Sequence, residues 1–383
     1  MKVAFDAQFL FDEQKTGIGW NSKAILDAMI EDGSVDIQLN VHEFRPNTEY
    51  DKMLEDYEKK GCRIKRNRIM PAGLYYKITE HIPIPYSTLF GSEADITQFF
   101  NFVVPPGVHT CTGTYIYDMA YKAFPDTVRE SERKRLDQMQ KYCDRSDFII
   151  TISEFSKNEI IRYLNIDPKK ITVIPCAVDH RTYRPDYTEE EKETAKKKYG
   201  IPEDYILYLG TLEPRKNIPL LIEAYGLLKK ENPDVPKLVL AGKKGWLYDE
   251  IFSKVREHCL ERDVIFTGYV MQEDSPKLMA GAKLFVFPSK YEGFGMPPLE
   301  AMACGTPVVI SNSDALVEVT GGAAAVSKIE DADNLKKEME NILGTSELQN
   351  KMKERGLIQA AKFTAEKSAK DLIQVCRMRT EEY

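Results

Sequence analysis

Residues 290–309 read KYEGFGMPPLEAMACGTPVV. Two glutamates, Glu292 and Glu300, stand eight residues apart across Gly-Phe-Gly-Met-Pro-Pro. The apolar run Leu284–Pro288 lies just upstream and Pro307–Ser311 closes the stretch, each of strand length. Pro297 and Pro298 suit a first helical turn, where a missing N–H costs nothing. The stretch reads strand, loop, helix, strand, with Glu292 in the loop and Glu300 in the opening turn of the helix. For one junction taken alone, the plainer reading is that glycines turn the chain and Glu300 faces the positive end of a helix. The same spacing leaves the N–H groups of Phe294, Gly295, Met296 and Leu299 able to face an anion such as a diphosphate. A carboxylate there accepts hydrogen bonds from a vicinal diol, as in ribose or a sugar ring, but repels phosphate unless cations intervene.

Such cations occur upstream in YLGTLEPRKN (208–217). Gly210 ends an apolar run, Arg215 and Lys216 follow in the loop, and Asn217 is placed to cap the next helix. Arg215 offers planar, bidentate phosphate contacts and Lys216 a mobile point charge. A solvated loop with two surface cations is the plainer alternative.

Short β-branched or aromatic runs alternate with amphipathic stretches along the whole chain, the pattern of an α/β protein with parallel sheets. Strands are expected at Val3–Phe9, Ile37–Phe44, Phe148–Ser153 and Ile171–Pro175 in the first half. In the second they are expected at Tyr205–Gly210, Lys237–Ala241 and Val264–Thr267, ahead of the opening stretch. Helices are expected at Ile18–Ile30, Lys157–Leu164 and Ile218–Lys230, and from Ser346 onward. The polar segment Asp179–Lys198, with its run EEEKETAKKK, reads as a boundary. The expected organisation is a domain over 1–184, a second over 185–360, and a C-terminal helix over 361–383 that returns to the first. Two doubly wound domains face each other across a cleft, where such folds bind ligands.

At 383 residues the chain is long enough for two cores, with a net charge of −7 and neither half broadly basic. A nucleic-acid binder would carry a basic footprint. Seven scattered cysteines without a Cys-x-x-Cys pair suggest neither zinc site nor disulfide framework, and fit a reducing, cytoplasmic setting. No stretch of eighteen apolar residues occurs, and the opening MKVAFDAQFL carries Asp6 inside its apolar run, so neither a membrane span nor a standard signal is expected.

The pieces YLGTLEPRKN, VIFTGYV, FPSKYEGFGMPPLEAMACGTPVV, DFIITISEFSKNEIIRYLNI and ITVIPCAVD, in order over most of the chain, resemble the retaining glycosyltransferases of family 4, which have the GT-B fold. The resemblance implies that Glu300 binds the nucleotide ribose and Glu292 the donor sugar. It implies that Arg215 and Lys216 bind the donor diphosphate with no obligatory metal or other cofactor. It also implies that the segment Gly268–Val270, with Val270, borders the base, GDP- or UDP-linked donors being expected. In the first half TGIG (16–19) matches the family's tight turn near donor phosphates and acceptor, so Gly17 and Gly19 would allow close backbone approach. A simple chain turn is the plainer reading. The segment TYIYDMAYKAFPD (114–126) is similar to one that normally reads Ile-His-Asp-Leu; here Tyr117 replaces the histidine and Asp118 matches the aspartate, a weak candidate nucleophile. Gln8 and Trp20 stand where relatives commonly have arginines.

The expected activity is transfer of a hexose, with a lean toward mannose or rhamnose, from a nucleotide-diphosphate sugar to a saccharide or lipid-linked saccharide. Retention is expected, by a route in which the leaving phosphate takes the acceptor's proton. The alternatives are a sugar-nucleotide epimerase and a non-catalytic sugar-nucleotide-binding or partner subunit. The run KKGCRIKRNR (59–68), six cations in ten residues, reads either as an anionic membrane contact or as an ordinary strand and loop. Asp331-Ala332-Asp333 matches a manganese-binding pattern but lies where helix-start acids belong.

Overall fold

The computed structural model describes residues 1–12, 17–45, 47–128, 130–245 and 248–383. Two compact units emerge: Met1–Met119, Arg129–Ala177 and Ala365–Tyr383 form one, Ala120–Val128 and Val178–Thr364 the other.

The first unit holds seven strands, β1 (Lys2–Asp6), β2 (Asp36–His42), β3 (Arg63–Asn67), β4 (Ile96–Phe99), β5 (Cys111–Tyr115), β6 (Phe148–Thr151) and β7 (Ile171–Val173). All pair in parallel in the order β3-β2-β1-β4-β5-β6-β7. In β2 the pleat puts Ile37, Leu39 and Val41 into a core shared with Val3, Phe5 and Phe148. The helix Gly17–Asp32 lays Ile25, Leu26 and Met29 on that core, and the final helix Ala365–Glu382 adds Leu372, Ile373 and Cys376. The C-terminal helix thus belongs to the first unit. The opposite face of β2 is polar yet buried: Gln38 donates to Asn40, Asn40 to the Tyr86 hydroxyl, and Tyr76 and Tyr86 both donate to Asp6.

The second unit repeats the plan with β8 (Tyr205–Leu209), β9 (Lys237–Ala241), β10 (Val264–Gly268), β11 (Leu284–Phe287), β12 (Val308–Ser311) and β13 (Ala325–Ser327). Their order is β10-β9-β8-β11-β12-β13, again all parallel. Strands covered on both faces read as continuous apolar runs, and Leu284–Phe287 is wholly buried. Each sheet begins in its middle and winds outward in both directions, so its switch point lies between β1 and β4 in one unit and between β8 and β11 in the other. Ligands of open α/β sheets bind outside the carboxyl ends of the strands at that point.

The boundaries differ from the sequence expectation of 184/185 and 360/361. Val178 N–H donates to the Phe363 carbonyl (3.0 Å) and Tyr183 is buried against Gln272, so 178–184 is part of the second unit. Residues 120–128 also belong to it, the Phe124 ring lying 5.4 Å from that of Tyr291. Those contacts are far apart in sequence, which is why no local signal marked them. The strand expected through Phe9 ends at Asp6, because the chain turns into the short 3-10 helix Gln8–Phe11. The run EEEKETAKKK is the helix Glu189–Lys198, started by a reciprocal capping box between Thr188 and Glu191.

Candidate active site

The loops after β8 and β11 meet at the second unit's switch point. Backbone bonds stitch them together: Lys290 N–H donates to the Arg215 carbonyl (2.8 Å), and Arg215 Nη1 donates to the Tyr291 carbonyl (2.8 Å). The turn Pro214–Lys216 is a single 3-10 turn that aims both cations at Glu292. Arg215 Nη1 lies 3.0 Å from Glu292 Oε2 and Lys216 Nζ 2.6 Å from Glu292 Oε1. Arg215 Nη2 reaches Glu213 Oε1 at 2.9 Å, and Lys216 Nζ sits 5.0 Å from the centre of the Phe287 ring. The cations needed to reconcile a carboxylate with a diphosphate are therefore in direct contact with that carboxylate.

Glu292 is 8% exposed. Burial alone would push its pKa up; Arg215 and Lys216 outweigh that and hold it down to about 2. Among the described residues no cation shifts Glu300. Burial pushes its carboxyl up to about 7, and the Tyr183 hydroxyl facing it offsets only part of that rise. Tyr183 is itself fixed: its hydroxyl accepts from Gln272 Nε2 (3.0 Å) and its N–H donates to the Asp179 carbonyl.

Glu300 rides on the helix Met296–Ala303, entered through Gly295 at φ +109. The positive φ favours glycine there, and a Cβ would also meet Leu316 Cδ2 at 2.4 Å and force that side chain to shift. Phe294 and Leu299 bury their side chains, the former edge-on against Phe363, so only their backbone can serve a ligand. Met296 is half-buried at the helix start. Gly210 and Val270 lie at the carboxyl ends of β8 and β10, Val270 buried. One glycine escaped the sequence reading: Gly242, just after β9, has φ +149, and a Cβ there would come within 1.9 Å of the Gly210 carbonyl oxygen. A glycine directly after the run LVLA was the available signal. Glu213 was also missed, although it stands two residues before Arg215.

Other expectations are altered. Asn217 stands at the N-cap position of the helix Ile218–Glu231 but does not cap it; in a left-handed conformation it donates its Nδ2 to the Ile329 carbonyl (2.8 Å). The helix-start reading of Asp331, by contrast, is met: it caps the helix Ala332–Leu343 by accepting from Asn334 N–H (2.9 Å).

In the first unit, Gly17 and Gly19 occupy the first turn of Gly17–Asp32, Gly19 buried, while Thr16 lies outside the described residues. A Cβ on Gly17 would meet nothing within 4 Å. Tyr117 is half-buried and packs against the core: its hydroxyl donates to the Phe100 carbonyl (3.0 Å) and its ring stacks on Tyr115. Asp118 follows it, half-buried, in the loop after β5. The Gln8 side chain accepts from His42 N–H (3.2 Å) and Trp20 is exposed. In the basic run, Lys59 pairs with Asp56, Lys65 with Glu93, Arg66 with Asp51 and Arg68 with Glu43. Four of its six cations are thus already neutralised, which weakens it as a membrane-binding patch. Among the described residues no helix is long and apolar enough to cross a membrane.

Two family models match the chain: Glycosyl transferases group 1 over residues 191–378 and Glycosyltransferase Family 4 over residues 103–182. The chain is 35% identical over 286 residues to the O-antigen chain mannosyltransferase B of Escherichia coli, covering 73% of each. It is 38% identical over 223 residues to the serotype-specific mannosyltransferase WbdA of Escherichia coli, covering 58% of this chain but only 27% of the longer WbdA. Among solved structures it superposes on sucrose-phosphate synthase from Thermosynechococcus elongatus with a TM-score of 0.74, covering all of both chains at 17% identity, which speaks for the fold alone.

Proposed function

Because this chain belongs to the group 1 glycosyltransferases, we propose that it moves a mannosyl residue from a nucleoside-diphosphate donor, GDP- or UDP-linked, to a hydroxyl of a saccharide or lipid-linked saccharide. The mannosyl assignment follows from relatives named as mannosyltransferases of O-antigen and serotype chains. The observation that carries the reading is the ion-paired set Arg215, Lys216 and Glu292 at a switch point.

Departure of the nucleotide builds negative charge on the diphosphate and positive charge on the anomeric carbon. Arg215, Lys216 and the amides around Gly295 and Met296 stabilise the first, so no metal is needed for that task. Glu292 holds the sugar hydroxyls and fixes the sugar's orientation. Glu300 accepts from the ribose diol. A covalent intermediate on Glu292 is disfavoured: both oxygens face cations, and a carboxyl held near 2 is a weak base and a weak nucleophile. We therefore assign transfer with retention through a front-face route, the leaving phosphate accepting the acceptor's proton, with no step through Asp118.

The test is thermal stabilisation by GDP and UDP in EDTA, followed by transfer from the matching mannose donor. One nucleotide should raise the melting temperature of the native chain, since a ligand that binds only the folded state stabilises it by mass action. Glu300→Ala should lose that shift. Stabilisation that survives Glu300→Ala, or that requires a divalent cation, would sink the reading.

A further inference from the structure

Four charged side chains meet after β8. Glu292 answers both cations, one oxygen to each, and Glu213 pairs with Nη2 of Arg215. Two carboxylates on two cations leave the set formally neutral. A nucleoside diphosphate brings at least two more negative charges, and a neutral set offers it no net Coulomb attraction unless one carboxylate gives way. The two are not equally movable. The Glu292 side chain is 10% exposed and anchored on both oxygens, so moving it would strand a charge in a low-dielectric site. Glu213 holds Arg215 by one oxygen and its side chain is 20% exposed.

We propose that Glu213 is a displaceable counter-ion of the donor site: it occupies Arg215 Nη2 in the unliganded protein and yields that nitrogen to the diphosphate. The proposal rests on the assignment of Arg215 and Lys216 to the diphosphate. The exchange needs no movement of the guanidinium, because the Tyr291 carbonyl and Glu292 keep hold of Nη1. The planar guanidinium keeps its orientation while one anionic partner replaces another. Return of Glu213 to Nη2 competes with the product nucleoside diphosphate and speeds its release, a step that limits turnover in many enzymes.

The experiment is calorimetric titration of GDP and UDP into the native chain, Glu213→Gln, Glu213→Asp and Arg215→Ala, at about 0.05 M and about 0.3 M salt. Glu213→Gln keeps shape and an oxygen for Arg215, so it should fold. It should bind the preferred nucleoside diphosphate about three- to tenfold more tightly than the native chain, with the gain shrinking at high salt. The free nucleoside should show no gain, kcat should fall together with donor KM, and Glu213→Asp should match the native chain within about twofold. Equal or weaker diphosphate binding by Glu213→Gln, while Arg215→Ala still loses affinity, overturns the counter-ion role and leaves the donor site standing. A gain in Glu213→Asp equal to that in Glu213→Gln overturns it as well, since charge would then be irrelevant. If the native chain binds neither nucleotide, or Arg215→Ala binds as well as it does, the diphosphate assignment fails and this proposal with it.

Discussion

Glu292 and Glu300 share a residue type, a loop-helix junction and a switch point, yet their acidities diverge in opposite directions. Glu292 sits between Arg215 and Lys216 and is held down to about 2. Glu300, half-buried and facing a neutral phenol, is pushed up to about 7. Desolvation raises both, and the opposite outcomes follow from the cations beside Glu292. That suits the two tasks proposed for them, one carboxylate remaining ionised beside an anionic leaving group and the other meeting an uncharged diol.

The most severe way to break this contrast is to remove the cations. Arg215→Ala with Lys216→Ala should lower the transfer rate at least about 10³-fold, and should also lower the melting temperature, because it leaves Glu292 buried and unpaired at a cost of roughly 3–5 kcal/mol. Adding Glu292→Gln should restore much of the stability and none of the activity. Recovery of both would show that the cluster is structural.

Glu292→Gln alone should slow transfer about 10²-fold. Its stability should depend on pH in a particular sense. A carboxyl depressed from 4.5 to about 2 stabilises the fold fully above about pH 4.5, and that contribution is lost as pH falls toward 2. The gap in unfolding free energy between native chain and variant should therefore close over that window in denaturant titrations.

Glu300 should slope the other way. Its folded pKa lies above the unfolded value of 4.5, so the native state binds the extra proton and loses stability as pH rises from about 4.5 through about 7. Glu300→Gln should flatten that loss. Nucleotide affinity should weaken as pH drops below about 7, because a protonated carboxyl accepts the diol less well, and the inflection should be absent in Glu300→Gln. A native chain whose nucleotide affinity is flat between about pH 5.5 and 8.5 would remove the contrast.

The smallest effect belongs to Tyr183→Phe. The hydroxyl lowers the pKa of Glu300, so its loss should shift the affinity inflection to higher pH. An unchanged inflection would show that the phenol only fills space.

Much of this was readable beforehand because the second sheet announces itself locally. LFVF and VVIS are buried on both faces and flanked by glycine and proline, so strands, loop and helix around 290–309 follow from pattern alone. The cations after β8 were legible for the same reason, each lying within a few residues of a strand end. The fate of Tyr117 was not: its ring stacks on Tyr115 and its hydroxyl donates to the Phe100 carbonyl, contacts that only the tertiary fold provides. Asn217 was misread because the cap rule concerns its own helix, whereas its amide finds a carbonyl 112 residues away.

By itself, the sequence determined a two-sheet α/β fold and which strand ends carry charge, since these depend on spacing and apolar periodicity along a few tens of residues, and its resemblance to the family 4 glycosyltransferases pointed to the activity. The tertiary structure alone decided which cation meets which carboxylate, that Glu213 completes the set, and that Glu292 and Glu300 differ in acidity. It also decided that residues 120–128 join the second unit. Those outcomes depend on distances between loops that the sheet order brings together, and electrostatic energy falls with distance in space, not with separation along the chain.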